Sequence, residues 1–410
     1  MPLPLQITPL GPRHKPIAAL TLLSAIFMII GCSDEPSQSG TTTSSGSGGA
    51  GGGGGSGGAG AGPHSLRVAQ YNIYFLDTSK LTGAGPQIEA AVQVVTRFNP
   101  DVLAVNEFQY DVEGTPPPPG TINGSGLNGA RLMDRLNAVT QGAPYTHHLI
   151  TFGNSGVSWS GYDGATDDPY FSEAGEGSTP GMFNYAIISR YPILADQARL
   201  IVDVPWLALE GHSGDALALA TGITVPEDYP LFAKGLLIVP IQVGDHVLHV
   251  IANHPFPPIA HVVRPYRHHD EILGMKLLLD GNLPGVDPLP PDARFVIAGD
   301  LNVDPDDGDA LPGTIDLLFD HPLVIPSQPA DGYGSVGHTP EQNTQASACP
   351  SSSAPDPSTE NQFQLDYLMP STSIGEPLGT GMFFPDPTST DWALACEASD
   401  HMLLWADLPW

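Results

Sequence analysis

The chain is short of positive charge. Its 410 residues hold only 14 lysines and arginines against 44 aspartates and glutamates, for a formal net charge of −30 at pH 7. A field of that sign repels polyanions at long range. Proteins that coat nucleic acid neutralise phosphates with Lys and Arg, so the charge argues against that class. A nucleic-acid-cutting enzyme is not, because a bound divalent cation reverses the potential locally. The acidity reads most simply as solubility or adaptation to a salty habitat. Cysteine is scarce too, with only Cys32, Cys349 and Cys396. The apolar run over residues 17–30 is too short to span a bilayer comfortably.

That run has a different use. Arg13, His14 and Lys15 precede it, and Gly31 and Cys32 follow. A basic stretch, a short apolar stretch and a small residue describe an export signal. Ile29, Ile30, Gly31 and Cys32 resemble the bacterial lipobox, in which Cys32 becomes the lipidated first residue of the mature protein; the alternative is an ordinary signal peptide with an incidental Cys. Lipid chains would hold the protein on a membrane, facing the periplasm or the exterior, with no transmembrane helix. Residues 33–63 are almost entirely Ser, Thr, Gly and Ala and read as a flexible tether. The Gly run lacks the Lys, strand and helix of a phosphate-binding loop. The expected division is signal 1–32, tether 33–63 and a single domain 64–410. In an exported protein Cys349 and Cys396 either pair or stay as thiols; spacing does not decide.

The stretch 294–305, RFVIAGDLNVDP, organises the domain. Phe295, Val296, Ile297 and Ala298 form the short apolar run of a fully buried strand. Gly299 permits a turn, and Asp300 and Asn302 share a face at its end, where open α/β sheets place ligands. Further strands are expected over 66–74, 101–105, 183–189, 235–241, 247–252, 364–369 and 402–405. Helices are expected over 88–98, 127–139 and 269–279. The Gly-rich stretch 151–180 reads as a substrate-side flap, since long loops in compact domains are usually functional or mobile.

Polar residues gather at these strand ends: Asn72, Glu107, His254, Asp300, Asn302, Asp366, Asp400 and His401. Any one of them reads as a turn residue or a structural histidine. Together they offer oxygen ligands for a hard divalent cation and two histidines for proton transfer. That is equipment for metal-assisted hydrolysis of a phosphate ester.

The motifs Gln70-Tyr71-Asn72, Asn106-Glu107, Ala186 to Pro192, Asn253-His254, Gly299-Asp300-Leu301-Asn302, Asp366-Tyr367 and Ser399-Asp400-His401 resemble, in this order, those of the endonuclease/exonuclease/phosphatase superfamily. Exported bacterial members resemble the chain further, through His254-Pro255, Pro257-Pro258 and the acidic stretch 304–309. The resemblance implies a four-layer α/β sandwich of two packed mixed β-sheets flanked by helices, with the site at one edge. It implies that Glu107 binds metal, with Asn72 assisting and Asp400 close by. Asp366 orients His401, which activates water or stabilises the attacked phosphate. Asp300 orients the water, Asn302 donates to a phosphate oxygen, and His254 does the same or protonates the leaving oxygen. In-line displacement at phosphorus needs charge neutralisation and positioning more than covalent help. Oxygen-rich sites favour Mg²⁺ or Mn²⁺, with Ca²⁺ admissible, over Zn²⁺.

The fold does not choose the substrate. The charge favours small organic phosphoesters over duplex DNA, and the chain is expected to act as a monomer. A DNA endonuclease, a sphingomyelinase-like phospholipid phosphodiesterase and a non-catalytic metal-binding surface protein are the alternatives. Arg264, Arg267, His268 and His269 form the densest basic cluster, read either as a second phosphate site or as helix surface. Tyr185 and Asn184 are candidates to face the site from a neighbouring strand. Asp304, Asp306, Asp307 and Asp309 with Gly308 read as a solvated loop, since they lack the closing Glu of a full Ca²⁺ loop.

Overall fold

The computed structural model describes residues 65–111, 116–305, 308–326, 345–346, 362–385 and 389–410. Cys32, the tether, Asp306, Asp307 and Cys349 lie outside the described residues. The described strands are β1 (Ser65–Leu76), β2 (Val102–Phe108), β3 (Thr121–Asn123), β4 (His147–Phe152), β5 (Asn184–Ser189), β6 (Arg199–Ile201), β7 (Leu236–Val243), β8 (His246–Ala252), β9 (Arg294–Asp300), β10 (Gln345–Ala346), β11 (Gln362–Phe363), β12 (Asp366–Pro370), β13 (Gly379–Met382) and β14 (Leu404–Pro409). The described helices are α1 (Thr78–Thr82), α2 (Pro86–Phe98), α3 (Leu127–Val139), α4 (Gly214–Thr221), α5 (Arg264–Leu279), α6 (Asp316–Phe319) and α7 (Thr390–Ala398).

One sheet has seven strands in the order β13-β14-β1-β2-β5-β4-β3, and a second has five, β12-β9-β8-β7-β6. Both are mixed: β1 runs parallel to β2 and β8 parallel to β9, while β14 and β12 pair antiparallel with β1 and β9. Because strand side chains alternate between faces, each central strand feeds two cores. Val68, Val102, Ala104, Val250, Val296, Ala298 and Leu368 pack between the sheets. Tyr71, Val105 and Ile188 face α2, α3 and α7. Ile297, Ile251 and Met369 face α5. The layers are helix, sheet, sheet, helix, as expected.

The inner faces change character toward one end of the seam. Val68 gives way to Gln70 and Asn72 on β1, Ala104 to Asn106 on β2, and Ala298 to Asp300 on β9. Leu368 on β12 shares its face with Asp366. All four of these polar side chains on β1, β2 and β9, and Asp366, are buried. The continued alternation therefore carries polar groups into a place the strands have already desolvated.

Two expectations fail. The stretch 151–180 is not a free flap: Phe171 is buried, Trp159, Tyr162 and Tyr170 pack on the α5-side core, and Ser155 and Ser158 bridge to Gly175 and Glu173. Helix α5 starts at Arg264 rather than 269, because Pro265 occupies its first turn, where a missing N–H costs nothing. Cys396 is disulfide-bonded; its expected partner, Cys349, is among the residues not described.

Candidate active site

Asp366 and His401 form a tight contact at the seam, with His401 Nδ1 2.7 Å from Asp366 Oδ2. The other carboxylate oxygen of Asp366 accepts from Gln70 Nε2 at 2.9 Å. Gln70 also donates to Asn106 Oδ1 at 3.0 Å, so one amide ties the seven-stranded sheet to the five-stranded one. The Ser399 hydroxyl donates to the Asn72 carbonyl at 2.7 Å and accepts from the His401 N–H at 3.1 Å. This places the last motif against β1.

Asp300 is 2% exposed. Its Oδ1 accepts from Asn302 N at 3.0 Å. Its Oδ2 accepts from Asn72 Nδ2 at 3.0 Å and lies 3.4 Å from His254 Nε2 and 3.7 Å from His401 Nε2. The turn that carries it is braced at Leu301, whose N–H donates to Leu365 O at 2.7 Å and whose carbonyl is 2.8 Å from His268 Nε2.

Glu107 is held by Asn72 Nδ2 at 3.1 Å and by the Phe75 N–H at 2.9 Å. Glu107, Asn302 and Phe75 all have positive φ, at 59, 52 and 47°. Non-glycine residues take that conformation at a cost of about 1–3 kcal/mol each, typically where surrounding structure enforces it at functional sites.

Burial sets the ionisation of the site, and neighbours divide it. Burial pushes the Asp300 carboxyl up to about 7. His254 is held well below its ordinary range by burial, then by Lys234 and His401. Burial acts on His401 in the same direction, but the carboxylates of Asp366 and Asp300 outweigh it and raise His401 well above its ordinary range. Two histidines flanking one carboxylate are thus driven apart, one neutral and one cationic, the pattern that separates donor and base roles.

These side chains open on a cleft of about 370 Å³ whose lining includes Glu107, His254, Asp300, Asn302, Asp400 and His401. The structure therefore brings the eight strand-end residues to one place. Ligand atoms of Glu107, His254 and Asp300 lie within 4.8 Å of one another, as do those of Asp300, Asp366 and His401. The second set is already consumed by the Asp366–His401 hydrogen bond. Asn72 faces the first set through Nδ2, and its Oδ1 is a buried oxygen with no hydrogen-bond partner among the described residues, which a turn of the amide would bring to the carboxylates. An orphaned amide oxygen beside carboxylates is a donor set for a hard cation, so the residues fit a divalent metal.

The residues offered for substrate contact fare differently. Arg267 is fully buried and is a structural cation. Its guanidinium donates to Leu231 O at 2.8 Å, Tyr229 Oη at 2.8 Å and Pro230 O at 3.0 Å. Tyr185 points between the sheets and donates its hydroxyl to Gly235 O at 2.7 Å. Asn184 is turned onto the Gly153 N–H at 2.6 Å. Arg264 lies 3.5 Å from the Glu176 carboxylate and over the Phe256 ring, behind the cleft wall. Asp304 accepts from the Gln364 N–H at 2.7 Å, while Gly308 and Asp309 line the cleft. Sequence reasoning missed Lys234, which lines the cleft while 2% exposed, and missed Gln70 as the tie between sheets. The one available signal for Lys234 was the rarity of lysine.

A sandwich of two mixed sheets with its polar side chains gathered at one end of the seam defines the class, that of the deoxyribonuclease-like α/β fold. The chain belongs to the endonuclease/exonuclease/phosphatase family, whose model matches residues 69–401. Members of this family are generally hydrolases acting on phosphate esters and typically use divalent metals. Similar solved structures include a member of the same family from Beutenbergia cavernae, at 18% identity over 84% of this chain and 71% of that one, TM-score 0.49. Another, from Leptotrichia buccalis, has 12% identity over 84% and 100%, TM-score 0.47. Sphingomyelinase C from Streptomyces griseocarneus has 18% identity over 84% and 99%, TM-score 0.44. No curated protein matches the sequence.

Proposed function

We propose that the chain is a metal-dependent phosphoesterase that hydrolyses small organic phosphate esters at the cell surface or in the periplasm. The observation that carries this reading is Asp300 Oδ2 lying 3.4 Å from His254 Nε2 and 3.7 Å from His401 Nε2, with Asp366 fixing the latter. Asp300 orients the attacking water and accepts its proton as the new O–P bond forms. His401, held by Asp366 at Nδ1, presents Nε2–H⁺ to the phosphate and offsets its charge. Asn302 keeps one amide hydrogen on Pro255 O at 3.1 Å and has a second for a phosphate oxygen. As the P–O ester bond breaks, the leaving oxygen receives the proton that Asp300 took from the water, and a ring N–H of His254 hydrogen-bonds to that oxygen. Glu107 and Asn72, with Asp400 nearby, would hold Mg²⁺ or Mn²⁺. When bound, the cation supplies charge neutralisation at the phosphate.

The net charge of −30 and the modest cleft favour small esters over duplex DNA. Cell-surface placement rests on the lipobox resemblance at Cys32.

The test is turnover of one chromogenic phosphodiester and one phosphomonoester with Mg²⁺, Mn²⁺ or Ca²⁺, beside His401→Ala. Metal-dependent turnover that drops by about 10²–10⁴ in the variant is expected. Cleavage of DNA at low salt with neither ester turned over would instead make the chain a nuclease. Metal binding with no hydrolysis of any of these would remove the enzymatic reading.

A further inference from the structure

Lys234 sits just before β7, and its backbone is fixed with little tolerance. An added Cβ at Gly153 would stand 1.9 Å from the Lys234 carbonyl oxygen, and one at Gly175 would stand 1.7 Å from that of Ala233. Two glycines therefore let neighbouring backbone close on this segment. The side chain runs between the Phe183 and Phe256 rings, each with its centroid 6.0 Å from the ammonium. It ends in the cleft beside His254 and Asp300. Its one hydrogen bond among the described residues is to Pro255 O at 3.4 Å, which leaves most of its three donors unused.

A buried ammonium normally has an anion against it. Four carboxylates act on Lys234, those of Glu176, Glu271, Asp300 and Glu107, and each is engaged elsewhere. Glu176 is 3.5 Å from Arg264 and Glu271 is 3.8 Å from Arg267. Asp300 serves Asn72, Asn302 and the two histidines, and Glu107 serves Asn72 and Phe75. Lys234 makes no ion pair with a described residue. The chain's lysines are Lys15, Lys80, Lys234 and Lys276, so one of very few is placed where it costs most.

We propose that Lys234 is a phosphate-contacting residue, whose ammonium holds a non-bridging oxygen of the phosphate under attack. The substrate thus completes the ion pair that the fold leaves open. This rests on the phosphoesterase reading, and its test separates the two.

Inorganic phosphate, the product common to any monoester, is titrated calorimetrically into the Mg²⁺- or Mn²⁺-loaded protein and into Lys234→Met. The variant keeps the stem and removes the charge. The phosphate dissociation constant and the KM for the chromogenic ester are each expected to rise at least tenfold, with part of the loss restored in Lys234→Arg. The thermal midpoint without phosphate is expected to hold or rise. Phosphate affinity and KM within twofold of the parent, or a lowered midpoint with affinity intact, would overturn the proposal in favour of a structural lysine. Should the Met variant not fold, lysine-labelled parent protein decides by NMR. Phosphate must then shift the Lys234 side-chain signal, assigned by exclusion with Lys15→Arg, Lys80→Arg and Lys276→Arg; an unmoved signal overturns the proposal. A parent that binds phosphate at Lys234 yet hydrolyses no ester keeps this site and loses the enzymatic reading. Normal turnover with an unaffected Lys234→Met does the reverse.

Discussion

Asp300 must be ionised to take a proton, in a place that favours its protonated form. The sign of the consequence follows from linkage. Its carboxyl moves from 3.8 unfolded to about 7 folded, chiefly through burial. The folded state then holds the proton more tightly, so this group's contribution to stability is full below about pH 4 and is lost as pH climbs from about 4 to about 7. Asp300→Asn removes that loss. In chelator at pH 8 its thermal midpoint is expected to equal or exceed the parent's, with the advantage shrinking toward pH 4. Turnover with metal is expected to fall by about 10²–10⁴. A midpoint well below the parent's at pH 8 would show that the hydrogen bonds from Asn72 and Asn302 outweigh the desolvated charge. A stability penalty at a working residue is a familiar trade.

At the scale of elements, β9 delivers this residue by lying close to the chain that follows β8. A Cβ on Gly299 would stand 2.1 Å from the Asn253 carbonyl oxygen. Gly299→Ala is therefore expected to destabilise by about 1–3 kcal/mol and to depress turnover through displacement of Asp300 and His254. Unfolding in urea measures the first; an unchanged midpoint would mean the strands move apart freely. The strands with long apolar runs, β1, β2, β7, β8 and β9, were legible in the sequence, as were α2 and α3, because periodicity survives there. Less was legible where it does not. β4 opens on His147 and His148, and α7 buries only Trp392, Ala395 and Ala398. Strand-end polar residues were legible because alternation fixes their face. The face of Tyr185 was not, since the same alternation allows either side until the sheets are docked. Arg267 read as a phosphate contact or as helix surface because the carbonyls that satisfy it come from Leu231 and Pro230, far along the chain. Lys234 needed the same non-local information.

For the whole molecule, the acidic surface and the proposed anchor make one picture: a protein kept from polyanions by its field and kept at a membrane by Cys32. Cys32→Ser is expected to move the protein from the membrane fraction to the soluble one, and equal retention of the variant would remove the lipobox reading. Inside the molecule the decisive feature is the seam. Gln70 reaches from β1 to Asp366 on β12, and Asn72 reaches from β1 to Asp300 on β9, so these two contacts each draw one partner from each sheet. Neither half is competent alone, and a slip of a fraction of an ångström between them detunes the contacts that cross the seam together. Turnover is then a strain gauge for the docking of the two halves, registering a loosened fit while both sheets still keep their own hydrogen bonds.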